Sequence, residues 1–198
     1  ISINAGSLIE AESFEALSSS YISASVAPIA IAAGVAVGVG ISDAQVIVEG
    51  TIITAGDCNL KSLADNTLQV AGTSGGIKGL SAGVAVSYLD STSKVHVGGS
   101  SGASTLQVGG NLTVKAETID RNFTFARSTT DENGKVGIAV AVSYEHGVTE
   151  AYLAGTVDVD GDILVGAYTT KEKLGDRKLV ILPTVNDGVY AYAGANTS

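Results

Sequence analysis

Asp158, Asp160 and Asp162 alternate near the end of the chain, with Gly161 interrupting the run. Hard oxygen ligands suit calcium, so these three side chains are the candidate metal site. The helix–loop–helix calcium loop asks for Gly at its sixth position and Glu at its twelfth; here those places hold Ile163 and Thr169. The competing reading is a solvated strand, in which alternate residues share one face.

Nucleophile chemistry has two candidates. Gly72-Thr73-Ser74-Gly75-Gly76 and Gly98-Gly99-Ser100-Ser101-Gly102 both fit Gly-x-Ser-x-Gly. A working elbow strains its serine between a strand and a following helix, and no helical pattern follows either match. Both read as turns in a Gly- and Ser-rich chain. Of the two histidines, His96 lies between Val95 and Val97, which points it to solvent, and Glu145-His146-Gly147 reads as a turn. Metal or proton-relay work needs several convergent groups. Carboxylate pairs drawn from Glu10, Glu12, Asp158 and Asp160 would suit polysaccharide cleavage. Sugar sites also use aromatic platforms; the chain has no Trp, and Tyr88, Tyr144, Tyr152 and Tyr168 offer passive glycan contact. Asn111-Leu112-Thr113 and Asn122-Phe123-Thr124 match a glycosylation acceptor by pattern alone. No catalytic set and no cofactor site emerges, so the chain is expected not to be an enzyme.

The composition narrows the scaffold. Of 198 residues, 45% are hydrophobic, drawn mainly from Val, Ala, Ile and Leu, with 25 Gly, no Met and three Phe. Small and β-branched residues favour tightly stacked strands over helices. That apolar content excludes a disordered chain. The net charge of -9 and the scatter of 11 Lys and Arg exclude a nucleic-acid partner. Cys58 stands alone, so no disulfide forms within the chain. No Met opens the chain and no signal peptide precedes Ile1, so it reads as a mature or excised fragment. The stretch Ile22 to Ile41 has the length of a membrane helix. Its Val35, Val37, Val39 and Ile41 alternate with Ala or Gly, which is strand period, and membrane insertion is not expected.

The chain repeats. Gly34-Val35-Ala36-Val37-Gly38-Val39 matches Gly83-Val84-Ala85-Val86-Ser87-Tyr88 and Ala139-Val140-Ala141-Val142-Ser143-Tyr144, at spacings of 49 and 56 residues. A weaker fourth copy starts at Gly188-Val189-Tyr190-Ala191-Tyr192. A second landmark, Gly110-Asn111-Leu112-Thr113-Val114, matches Gly161-Asp162-Ile163-Leu164-Val165, Gly6-Ser7-Leu8-Ile9 and, in degraded form, Gly56-Asp57-Cys58-Asn59-Leu60. This alignment sets Cys58 beside Leu112 and Ile163, as a small buried hydrophobe. Between the landmarks lies a third strand at Ala44 to Val48, Ser93 to Val97 and Glu150 to Leu153. Leu8 to Leu17 fits a strand better than a helix. Ser128 to Lys135 reads as a polar turn and Lys171 to Lys178 as an exposed loop. The Val-Ala-Val strands are apolar on both faces and need cover on both sides, from a neighbouring layer or another chain.

The pattern Ala-Gly-Val-Ala-Val-Ser-Tyr, a polar strand, then Gly-Asn-Leu-Thr-Val-Lys-Ala-Glu resembles repeats of very large bacterial exoproteins. These are filamentous haemagglutinin-type adhesins and related leukotoxin-like surface proteins. The resemblance covers most of residues 32 to 170 in three copies. It implies secretion, a β-helical shaft, and work in attachment, matrix building or aggregation. It brings no catalytic residues. The first copy departs from it, with Val39-Gly40 where Tyr88 and Tyr144 predict an aromatic.

The expected fold is all-β: one repeat array over residues 1–198, with units of about 32–74, 75–135 and 136–178 and partial units at both ends, forming a parallel β-helix of about 50-residue repeats. Such a unit would make about two coils around one greasy interior. The alternative is an antiparallel β-sandwich or meander. The expected function is a structural segment of an extracellular adhesin or self-assembling fibre, with self-association and contact to surface glycans as the expected partnerships. A glycan- or calcium-binding module, or a polysaccharide-active enzyme, are the alternatives.

Overall fold

The computed structural model describes residues 1–27, 29–30, 32–75, 80–98, 104–130, 136–171 and 188–195. They form strands without a helix. The first coil holds β1 (Ser2–Ile3), β2 (Leu8–Ala11), β3 (Phe14–Val26) and the short β4 (Ile29–Ala30). The second holds β5 (Ala33–Val48), β6 (Thr51–Thr54) and β7 (Cys58–Gly75). The third repeats this with β8 (Leu80–Val97), β9 (Thr105–Val108) and β10 (Leu112–Thr130). The last holds β11 (Val136–Leu153), β12 (Thr156–Val159) and β13 (Ile163–Lys171), followed by β14 (Gly188–Ala195).

Coils stack in parallel to build three sheets. One broad sheet runs β1-β5-β8-β11, the other β3-β7-β10-β13, and a narrow sheet β2-β6-β9-β12 closes one side. The architecture is therefore a parallel β-helix of stacked repeats, as the sequence periodicity predicts. The register keeps like over like: Val35 pairs with Val84, and Val84 with Val140. Leu112 sits between Cys58 and Ile163.

Coil size differs from the expectation of two coils per fifty residues. Each repeat makes a single coil, because its broad-sheet strands run 16 to 19 residues. The anticipated third strand at Ala44 to Val48 is the second half of β5, with no turn before it. Two sequence alignments also shift. Leu8–Ala11 pairs with Thr51–Thr54 in the narrow sheet, so Phe14 is the residue that stacks on Cys58. Gly188–Ala195 does not extend the Val-Ala-Val ladder. It pairs with Phe123–Thr130, the half of β10 that β13 leaves open. Ile22 to Ile41 forms strands, and among the described residues no helix is long and apolar enough to cross a membrane.

Inward residue size sets the cross-section. Along β5 the buried positions run Gly34, Ala36, Gly38, Gly40, Ser42, Ala44, Val46 and Val48. Beside the narrow sheet the broad sheets stand apart, and Val46, Val48, Val95, Val97, Leu60, Leu112 and Val114 fill the gap around Ile52 and Leu106. Each such side chain contributes about 1.5–3 kcal/mol by burial. A second cluster, Ala36, Ala85, Leu68, Val70, Leu89 and Ala126, lies farther along. At the far margin the layers almost touch: a Cβ on Gly34 would fall 2.0 Å from the Thr73 carbonyl oxygen, and one on Gly83 2.2 Å from that of Arg127. The coil is a wedge, thick at the narrow sheet and thin at the opposite margin.

The interior is not uniformly greasy. Between the two apolar clusters, Ser62 and Ser93 hydroxyls meet at 2.7 Å, and Asp120 accepts from Asn66 Nδ2 and Ser91 Oγ, each at 2.8 Å. Ser87–Thr124 and Ser81–Ser128 hydroxyl pairs, both at 2.6 Å, continue the row toward the thin margin. Each pair contributes about 0.5–1.5 kcal/mol net, and leaving one partner buried and unpaired would cost more. Burial pushes the Asp120 carboxyl above its ordinary pKa, against the hydrogen bonds from Asn66 and Ser91.

Candidate functional surface

Strand alternation sends odd-numbered residues of β5 outward, and the register aligns them with outward residues of β8 and β11. Three parallel rows result: Val35–Val84–Val140, Val37–Val86–Val142 and Val39–Tyr88–Tyr144. Val35, Val37, Val39 and Ile41 are exposed, as are Val136, Ile138, Val140, Val142 and Tyr144. One face of the Val-Ala-Val strands is thus covered by the opposite broad sheet, through Ala36, Ala85, Ala139 and Ala141. The other face is exposed among the described residues. Tyr88 and Tyr144 stack at 5.3 Å with rings 7° from parallel.

The same sheet turns polar toward the narrow sheet. His146 Nδ1 meets Asp90 Oδ1 at 3.1 Å, and this hydrogen bond holds the Asp90 carboxyl below its usual pKa. Asp90 in turn raises the Tyr88 phenol, whose anion it would repel. Glu150 accepts from Lys94 and lies 3.0 Å from His96 Nε2, and both contacts lower its pKa. His96 also meets the Tyr152 ring edge-on. These contacts tie β8 to β11 across the sheet. His96 faces outward as its alternation predicts. His146 corrects the sequence reading: it lies within β11 and not in a turn, since Gly147 continues the strand opposite Ser91.

The corner after the narrow sheet carries a ladder that sequence reading treated only as a repeat marker. Asp57 Oδ1 accepts the Asn111 N–H at 2.8 Å, and Asn111 Oδ1 accepts the Asp162 N–H at 2.9 Å. The preceding glycines keep the same rhythm, with the Gly110 N–H donating to the Gly56 carbonyl and the Gly161 N–H to that of Gly110. A Cβ on Gly110 would sit 2.5 Å from Asp57 Oδ1, so the ladder needs Gly before each Asx. The threefold Gly-Asx-hydrophobe motif was the available signal. At the opposite corner Gly98 and Gly155 adopt φ of 96° and 99°, which only Gly takes without strain.

The candidate metal residues lie at these corners. Asp158 points outward from β12, Asp160 is exposed in the turn, and Asp162 belongs to the Asx ladder. Among the described residues, no group of three or more His, Cys, Asp or Glu gathers to hold a metal ion. Ser74 is buried within β7 and its hydroxyl has no hydrogen-bond partner, which is no nucleophile elbow. Ser100 lies outside the described residues. Glu10 is on β2 and Glu12 in the turn after it, whereas Asp158 and Asp160 stand on the last coil. Cys58 is fully buried, and burial pushes its thiol up to about 11. Asn122 donates to Ser143 Oγ, so it is engaged inside the sheet stack.

No family model, curated protein or solved structure matches the chain.

Proposed function

We propose that the chain is a non-catalytic structural segment, a rigid β-solenoid shaft of a secreted adhesin or self-assembling surface fibre. One observation carries this reading. Leu112 and Val114 are fully buried in the third coil, but Ile163 and Val165, the same ladder positions in the last coil, are 53% and 43% exposed. Inward ladder positions left exposed form an apolar surface on which a like coil stacks. Among the described residues the outermost strands are β1, β2 and β3 at one end and β11, β12 and β13 at the other. Open edges template further strands, from the same polypeptide or from a neighbour. The exoprotein-like Val-Ala-Val and Gly-Asn-Leu-Thr-Val repeats support an extracellular shaft, and the acidic surface suits solubility there.

Electron microscopy and light scattering of the purified chain test the proposal. Rods that lengthen with concentration are expected, and the double substitution Ile163→Asp with Val165→Asp should shorten them by placing charge on the open end. Compact monomers at every concentration, with or without the substitutions, would refute the reading.

A further inference from the structure

We infer that the valine–tyrosine face of the first broad sheet is a lateral docking surface for a second copy of this chain. The inference stands apart from growth at the coil ends and does not require it.

The face is large, flat and regular. Its ten exposed apolar residues, from Val35 across to Tyr144, leave on the order of 800 Å² accessible, above the largest apolar patch of an ordinary monomer and equal to one side of a standard interface. Its side chains are mostly Val and Ile, which have little rotamer freedom to lose on docking. Val35, Val84 and Val140 form a straight row along the stacking axis, as do Val37, Val86 and Val142. A two-fold partner offers identical rows, and rows of one copy fit the furrows of the other at a sheet separation of about 10 Å.

Charge selects the occupant. Within the rows there is no ionised side chain; Asp43, Asp90, Lys94 and Glu150 lie beyond them, toward the narrow sheet. The net charge of -9 on each copy is therefore kept off the contact and is weakened by salt. A lipid surface fits less well. Membrane-lying faces carry Lys, Arg and Trp to meet anionic headgroups, whereas the only cationic Lys or Arg outward on β5, β8 or β11 is Lys94, and the chain has no Trp.

Sedimentation equilibrium tests the inference on three proteins: the unmodified chain, Val37→Lys with Val142→Lys, and the end variant Ile163→Asp with Val165→Asp. Both lysine sites are exposed, so the core is untouched, and circular dichroism checks that the fold is kept. Should the lysine pair fail to fold, Val37→Ser with Val142→Ser replaces it. The end variant should dimerise, more tightly at higher salt, and the unmodified chain should associate at least as far. The face variant should dimerise at least tenfold more weakly. A monomeric unmodified chain, or dimers that persist in the face variant, would overturn the inference. So would a chain that is monomeric in solution but sediments with phosphatidylcholine–phosphatidylglycerol vesicles, which would assign the face to lipid.

Discussion

Replacing Gly72 by alanine would force the two broad sheets apart at their thinnest point. The added Cβ lands 1.9 Å from the Val84 carbonyl oxygen and 2.5 Å from its carbon, whereas ordinary contact begins near 3.4 Å. The layers must separate by about 1.5 Å, a distance that close-packed interiors do not absorb. The obstacle cannot swing away, because Val84 is held in register by Val35 on one side and Val140 on the other. Overpacking ordinarily costs 1–3 kcal/mol; with backbone as the obstacle, about 3 kcal/mol or more is expected. For a chain of this size that lowers the melting temperature by roughly 6–12 °C. Thermal unfolding followed by circular dichroism near 218 nm measures it. Gly147→Ala is the control. Its Cβ would come closest to the Ser91 hydroxyl, at 3.3 Å, with the Ser91 carbonyl oxygen and Asp120 Oδ2 at 3.8 and 3.9 Å, and alanine is favoured over Gly within a strand by about 0.5–1 kcal/mol. That variant should melt at or above the unmodified chain. Equal losses from the two substitutions, or a change of less than about 3 °C for Gly72→Ala, would refute the wedge-shaped cross-section.

Asn111→Ala removes the acceptor for the Asp162 N–H and should cost about 1 kcal/mol in urea unfolding, while Ser7→Ala, outside the Asx ladder, should cost little. Asp120 titrates above its unfolded pKa of 3.8, so the folded state holds its proton longer. Its contribution is therefore most favourable below pH 3.8 and declines as pH rises through the folded value. Asp120→Asn, which is isosteric, should remove that decline and be at least as stable as the unmodified chain at pH 7; a marked loss at pH 7 would show that the charged form is the favoured one. The Cys58 thiol, buried and raised to about 11, should resist Ellman's reagent at pH 8 until denaturant is added, and rapid labelling of the native chain would contradict its place in the core.

Period-two alternation made the parallel β-helix legible. Val35, Val37 and Val39 on one parity, and the same phase at Val84 and Val140, already imply strands stacked like over like. Coil size was harder to read because serine looks like punctuation. In β8 the inward parity reads Ser81, Gly83, Ala85, Ser87, Leu89, Ser91, Ser93, Val95 and Val97, which resembles a turn inside an apolar run. Those serines pair with hydroxyls or a carboxyl across the interior, a fact that depends on the opposite sheet and leaves no local trace. The same blindness hid Asp120, whose partners Asn66 and Ser91 come from other strands. Leu8-Ile9-Glu10 imitated Leu112-Thr113-Val114 because both follow a small turn residue, although only the pairing with Thr51–Thr54 assigns the sheet. The exposed valine face was half visible: the strands were recognisably apolar on both sides, but one sequence cannot say which side stays uncovered.

The ladder hydrogen bonds of all three sheets point along the stacking axis, while the covalent chain runs around it. Mechanical response then depends on where a load enters. Tension applied evenly over a whole coil is shared by every rung beneath it and meets great stiffness. Tension applied through a chain terminus falls on one corner, where bonds break in succession and the coil unwinds like thread from a spool. A shaft of this design resists being snapped but can be paid out turn by turn, lengthening under strain before it parts.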